Sequence, residues 1–203
     1  MKYLCDNCYK AIGSTDNKKE EYVINRFCSR CVSRISSGNV VVVSDETYFD
    51  LVMTHNEIPI KIESFGGEYE FLSNFYDFPI EFGGKIYPTT EHLFQAGKTN
   101  NQAKHEEIRL ANTPGLAKKF GRNVVIRPDW PDIREAIMEF ALRLKFNDDN
   151  LKRKLLATGD AELIEGNWWG DTYWGVCKGK GMNKLGIILM KIREEYRREQ
   201  TGT

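Results

Sequence analysis

Four of the chain's five cysteines fall in two C-x-x-C pairs, Cys5-Asp-Asn-Cys8 and Cys28-Ser-Arg-Cys31, with nineteen residues between them. That spacing lets two knuckles converge as four thiolates around a tetrahedral zinc ion, which limits what the first 38 residues can become. The alternatives are two disulfides or four unrelated thiols. A reducing compartment disfavours the first, and the paired spacing disfavours the second. With Tyr3, Ile12, Val23, Ile24 and Phe27 as its apolar material, so short a segment relies on the metal for folding free energy. Four sulfur ligands leave no open coordination position, so the expected zinc is structural and not catalytic. Cys177 stands apart in an aromatic-rich stretch without an adjacent base and is expected to be simply buried.

The remaining chain must build its own core. At 203 residues, with 41% apolar and 29% charged residues, the sequence suits a globular protein with one ordinary domain and a small accessory module. Lys plus Arg and Asp plus Glu are equal at 29 each, so any polyanion binding must be local. No apolar run approaches a membrane span, and Met1-Lys-Tyr-Leu-Cys5 lacks the features of an export signal, which makes the cytoplasm the expected location. Ser36-Ser-Gly-Asn39 marks a break. The expected organisation is a zinc-binding module over 1–38, a linker or bridging segment over 39–59, a main domain over 60–198 and a flexible tail over 199–203. Within the bridge, Val40 to Val43 is a β-branched run, and a helix is expected over 47–56.

In the main domain, residues 69–75 are expected to be extended into a turn. Gly83-Gly84 between Pro79–Phe82 and Lys85–Tyr87 predicts a hairpin. Helices are expected over 91–99, capped from Pro88-Thr-Thr90, and over 102–111, 114–120 and 150–157, with short strands over 123–126 and 162–165. Over 132–146, Ile133, Ile137, Phe140, Ala141 and Leu144 recur at helical spacing and predict a core helix. Over 183–198, Leu185, Ile188, Leu189, Ile192 and Tyr196 predict the buried face of a last helix.

Two stretches hold more acids, lysines, tryptophans and glycines than a core needs: Pro88 to Lys98, and Asn167 to Gly186. Together they suit a ligand that combines a base, a sugar and phosphate. Glu91, Gln95 and Lys98 share one helical face and could form one wall of a pocket. Breaking a C1–N bond to ribose builds positive charge on the sugar, so a carboxylate near C1 stabilises the transition state. Glu91 is the first choice for that carboxylate, with Asp171 as the second acid. A lysine of lowered pKa can instead capture C1 as a Schiff base. Lys98 suits that role, although sequence does not rank it against Lys180 or Lys184. Gly179, Lys180, Gly181, Asn183 and Lys184 form a glycine-rich turn into the last helix that is expected to cradle phosphate. Trp174 beside it, and Trp130, are candidates for stacking on a base. Of Trp168 and Trp169, an extended segment can point only one inward. His92 is expected to be a packed histidine and not a base.

The residues Phe71-Leu-Ser-Asn-Phe75, Tyr87-Pro-Thr-Thr-Glu-His92, Gln95-Ala-x-Lys98, Leu156-Ala-Thr-Gly-Asp160, Trp174-Gly175 and Gly179-Lys-Gly-x-Asn-x-Leu-Gly186 resemble the NADAR (YbiA-like) superfamily, in order and with its spacing. The resemblance covers about residues 60–198 and excludes the cysteine module. It implies a compact, mostly helical α+β domain with short strands that hydrolyses an N-glycosidic bond without an organic cofactor. It adds Asn74 to the substrate-binding residues. Two substrate branches are implied: ADP-ribose on the amino group of guanine in DNA, opposing a toxin that attaches it, and ribosylamino intermediates of riboflavin synthesis. A third reading is a module that binds ADP-ribose or a similar nucleotide without cleaving it. The added module favours a macromolecular target, since Lys18, Lys19, Arg26, Arg30 and Arg34 suit DNA phosphates, diluted by Asp16, Glu20 and Glu21.

Overall fold

The structure is a computed structural model that describes residues 59–202, together with four short strands nearer the start of the chain. The chain divides into two compact units, Met1–Ile58 and Pro59–Thr203. The first contains strands β1 (Lys2–Leu4), β2 (Ala11–Ser14), β3 (Tyr22–Ile24) and β4 (Val41–Val43), in the sheet order β2-β1-β3-β4. β1 runs antiparallel to β2 and parallel to β3, and β3 runs antiparallel to β4. Cys5, Cys8, Cys28 and Cys31 lie outside the described residues, as does the helix expected over 47–56.

The second unit is mostly helical. Strand β5 (Lys61–Ile62) leads into a 3-10 helix, Gly67–Leu72. Residues 69–75 were expected to be extended, and the difference comes from Phe71 and Leu72, which must turn together into the core. The hairpin of β6 (Ile80–Phe82) and β7 (Lys85–Tyr87) follows. Gly83 and Gly84 both have positive φ, 60° and 70°, as a two-residue turn matched to the strand twist requires. Next come α1 (Thr90–Ala96), α2 (Gln102–Arg109) and α3 (Pro114–Gly121), capped by the side chains of Thr89, Asn101 and Thr113 respectively. Residues 123–126 form no strand; Val125 and Ile126 are exposed. Helix α4 (Trp130–Phe146), α5 (Asp149–Ala157), short strands β8 (Glu162–Leu163), β9 (Gly166–Asn167) and β10 (Val176–Cys177), and α6 (Lys184–Thr201) complete the unit. α6 continues past Arg198, where a frayed tail was expected. No helix among the described residues is long and apolar enough to cross a membrane.

Helix α4 organises the packing, in contact with α1, α5, α6 and β6. Its Met138, Leu142 and Phe146 enter the larger buried cluster with Leu72, Phe94, Leu163 and the inner face of α6, while Ala141 enters a smaller one with Ile80, Leu93 and Ala117. Leu185, Ile188, Leu189, Ile192 and Tyr196 of α6 are all buried, as their spacing predicts. The expected face of α4 holds in part: Ala141 is buried, and Ile133, Ile137 and Leu144 pack against the two clusters. Phe140 is exposed and meets Phe82 edge-on at 4.9 Å, whereas Lys145 is fully buried. Lys145 Nζ donates to the Ser73 carbonyl at 2.7 Å between the rings of Tyr76 and Phe146, and burial lowers its pKa to about 7.

Helices α1 and α3 pack closely at Gly121. A Cβ built there would lie 2.1 Å from Gln95 Oε1 and 3.0 Å from Gln95 Cβ, so Gln95 occupies the space that any other residue would fill. Near the start of the same helix, a Cβ on Gly115 would meet only Thr113 Oγ1, at 3.9 Å. Gly121→Ala is therefore expected to lose about 1–3 kcal/mol of stability by overpacking. Gly115→Ala should be neutral or stabilising by up to about 1 kcal/mol. Denaturant unfolding of the two variants checks this contrast.

Candidate active site

A cavity of about 850 Å3 opens between the early and late segments of the second unit. Glu91, Gln95 and Lys98 line it together with Asn74, Asp171 and Trp174. α1 sets Glu91 and Gln95 on one face, because Thr89 Oγ1 caps the helix by accepting from His92 N. The helix expected over 91–99 ends at Ala96, and Lys98 follows in the turn, where its N donates to the Gln95 carbonyl at 3.2 Å. Glu91 N donates to the Asn74 carbonyl at 3.1 Å and ties the 73–75 loop to the same wall.

Glu91 is almost entirely buried, and loss of hydration raises its pKa. The charges of Lys118 and Lys98 act in the opposite direction, as does the hydrogen bond from Gln95 Nε2 to Glu91 Oε1 at 2.7 Å. Asp171 reinforces the rise. Lys98 is shifted the other way: burial lowers its pKa, aided by Lys118 and Arg122 and resisted by Glu91. Its Nζ lies 5.6 Å from the centroid of the Phe94 ring and 5.9 Å from that of Trp130. An aromatic seat of this kind holds an ammonium while withholding the water that would otherwise keep it protonated.

Three further charged groups of the cavity, Glu165, Lys118 and Arg122, were not singled out by the sequence. Glu165, just beyond β8, has its pKa pushed up to about 7, chiefly by burial and then by Asp171. Its Oε2 is buried without a hydrogen-bond partner. The signal available was its position, an acid at the end of the expected strand over 162–165, two residues before the aromatic-glycine stretch that starts at Asn167. Lys118 lies on α3, where charges at helical spacing look like a solvated face. In the fold its Nζ sits at the cavity mouth between two rings, 5.6 Å from the centroid of Phe75 and 5.7 Å from that of Trp169.

Asp171 lines the cavity and also organises its own loop. Its Oδ1 accepts from the amides of Tyr173 at 3.0 Å and Trp174 at 2.9 Å. Asn167 completes that loop, accepting from Asp171 N at 3.0 Å and donating to its carbonyl at 2.7 Å. Asn74 is buried with Nδ2 on Met138 Sδ at 3.3 Å, and its Oδ1 has no partner. Trp174 packs edge-on against Phe94 at 5.2 Å. His92 is buried and bonded through Nδ1 to Thr89 and through Nε2 to the Ala111 carbonyl, so both ring nitrogens are occupied structurally.

Six expected substrate contacts do not line this cavity. Trp130 is buried at the start of α4 against Phe94, where it supports the seat of Lys98. The turn of Gly179, Lys180, Gly181, Asn183 and Lys184 faces elsewhere for identifiable reasons. Lys180 exchanges backbone hydrogen bonds with Cys177. A Cβ on Gly181 would fall 2.1 Å from the Gly175 carbonyl, so that glycine serves close chain packing. Asn183 adopts a left-handed conformation and spends its side chain on Leu163 O and Glu165 N. Lys184 pairs with Glu135 at 3.1 Å. Among the candidate lysines, only Lys98 is at the cavity.

The NADAR domain family matches residues 63–197. The N-glycosidase YbiA of Escherichia coli (strain K12) is 41% identical over 140 residues, covering 67% of this chain and 87% of that protein. A riboflavin biosynthesis protein of Vibrio vulnificus (strain YJ016) is 37% identical over 157 residues, covering 75% of this chain and 42% of that protein. The NMR structure of E. coli YbiA superposes with a TM-score of 0.64 at 39% identity, covering 71% of this chain and 88% of that one. With the family's match extending across the α1 wall, the late tryptophan loop and α6, this chain belongs to the NADAR family.

Proposed function

We propose that this chain is an N-glycosidase that removes ADP-ribose from the amino group of guanine in DNA. The observation that carries the reading is the convergence of Lys98, Glu91 and Glu165 on one cavity, with their pKa values driven toward neutrality by loss of hydration. Relatives named N-glycosidases support the bond type. A cavity of about 850 Å3 suits a nucleotide-sized group, and the exposed aromatic rim formed by Phe75 and Trp169 suits a base.

In the proposed sequence the glycosylamine opens to its imine, and the free amine of Lys98 adds to C1. The C1–N bond to guanine breaks while Glu165, protonated near neutral pH, transfers its proton to the departing nitrogen. That leaves C1 joined to Lys98 as a Schiff base. Water attacks C1, a carboxylate takes the water's proton, and the lysine departs as ADP-ribose is released. Glu91 lies nearest in role to this second proton transfer and balances the positive charge on the Lys98 imine. Asp171 orders the loop that carries the tryptophans and adds its charge to the site. Cys5, Cys8, Cys28 and Cys31 would hold a structural zinc ion, and the basic residues of that module would contact DNA phosphates.

A second reading follows from the Vibrio relative, whose name supports a ribosylamino pyrimidine of riboflavin synthesis as the substrate. The same lysine and acids would act on its C1–N bond. The discriminating experiment incubates the protein with a guanine-ADP-ribosylated oligonucleotide and, separately, with the ribosylamino pyrimidine phosphate, and follows release by mass spectrometry. Release of ADP-ribose with restoration of guanine is expected. Cleavage of the pyrimidine alone would favour the second reading, and nucleotide binding without cleavage of either would favour a binding module. Lys98→Ala and Glu91→Gln are each expected to lower kcat at least about 100-fold.

The pH dependence has a definite sign. Glu165 must be protonated to act as the acid, and its pKa lies at about 7, so kcat/KM should fall as pH rises through about 7. Glu165→Gln should be slower at every pH and should lack that alkaline limb, as a pH–rate profile of the two proteins would reveal.

A further inference from the structure

The glycine-lysine turn expected to cradle phosphate lies outside the reaction cavity, yet it borders a second concavity of about 640 Å3. The two concavities share a wall, since Gly166 and Trp168 line both. Trp168 is 84% exposed, which leaves almost the whole indole in water at the crest between them. It is braced edge-on against Trp169, whose ring centroid is 5.8 Å away. On the far side, Gly179 lines the second concavity between Lys178 and Lys180, both exposed and in no ion pair among the described residues. Reciprocal hydrogen bonds between Cys177 and Lys180, at 2.9 and 3.0 Å, fix this turn. The lining itself carries Lys61, paired with Glu162 at 2.9 Å, and the carboxylate of Glu63, so the cations left for an anion are those of the turn.

We propose that this second concavity holds the nucleotide adjacent to the modified one in a single-stranded oligonucleotide, its base stacked on Trp168 and its phosphate near Lys178 and Lys180. The inference rests on the proposed function and deepens it by specifying a polymeric substrate. An apolar plate is favourable to any base, because every base presents a π-face. Unpaired ammonium groups on either side of Gly179, which lines the same concavity, supply the phosphate attraction that a peptide or a second copy of the chain would not need. The shared wall gives the register: a chain leaving the reaction cavity over Trp168 enters the second concavity directly.

The test compares kcat/KM for ADP-ribosylated guanosine with that for the same adduct within a short single-stranded DNA, using the full chain. The double variant Lys178→Ala, Lys180→Ala should leave turnover of the guanosine adduct unchanged. On the oligonucleotide it should reduce kcat/KM and lower the salt-dependence slope by about 1. Trp168→Ala, at a solvent-exposed position, should weaken use of the oligonucleotide about tenfold more than use of the guanosine adduct. Equal losses on the two substrates, or no loss on either, would overturn the subsite. If the wild type cleaves neither, the proposed function fails, and binding of an unmodified single-stranded oligonucleotide decides the subsite separately. Salt-sensitive binding weakened by both changes would support it, and binding that is absent or indifferent to them would refute it.

Discussion

Loss of hydration around a few ionisable groups is the constraint on which the proposed chemistry depends. In water, Lys98 would be a protonated, unreactive amine, and Glu91 and Glu165 would be ionised acceptors. Burial moves the lysine down and the two acids up, which favours the free amine and the protonated acids relative to the same groups in water. Their mutual charges keep these shifts from running away. Glu91 opposes the fall at Lys98, and the lysine opposes the rise at Glu91. Glu165, with Oε2 left unpartnered, has its pKa pushed up to about 7, chiefly by burial and then by Asp171.

The fold holds this arrangement by tying the site walls to its core. Gln95 anchors Glu91 and is itself pressed against Gly121, so the α1–α3 contact and the orientation of the acid are one feature. Lys145 grips the carbonyl of Ser73 from within the core, and Glu91 N grips the next carbonyl, that of Asn74. The loop bearing Asn74 and Phe75 is thus fastened from two sides. On the late side, Asn183 bonds the chain on both sides of Ile164, which fixes the approach to Glu165. What looked in sequence like ligand-binding polar residues is partly the framework that positions the groups facing the ligand.

Much of the second unit was legible in the sequence where a local rule and the tertiary environment agree. The Gly83-Gly84 hairpin, the threonine cap of α1 and the buried face of α6 are of this kind. The face of α4 was legible only in part, at Ile133, Ile137, Ala141 and Leu144, because apolar spacing cannot reveal that several elements surround a helix. Lys145 is absorbed by aromatic rings and a carbonyl, while Phe140 finds its partner, Phe82, at the surface. For the site, Glu91 and Lys98 could be placed together because Glu91 is on one short helix and Lys98 lies in the turn that directly ends it. Glu165 and Lys118 could not, since nothing local in their segments shows that the fold carries them to α1. The glycine turn was assigned to the wrong concavity for a related reason: its spelling does not show that it borders a second concavity and not the one that holds Glu91 and Lys98, or that Gly181 serves close chain packing.

The claim that Lys98 forms a covalent bond to C1 can be tested by reductive trapping. Borohydride added during turnover of the guanine-ADP-ribosylated oligonucleotide should convert the imine to a stable secondary amine, and peptide mass spectrometry should locate ADP-ribose on Lys98. No adduct at any lysine during demonstrable turnover, or an adduct at another lysine that persists in Lys98→Ala, would contradict the account.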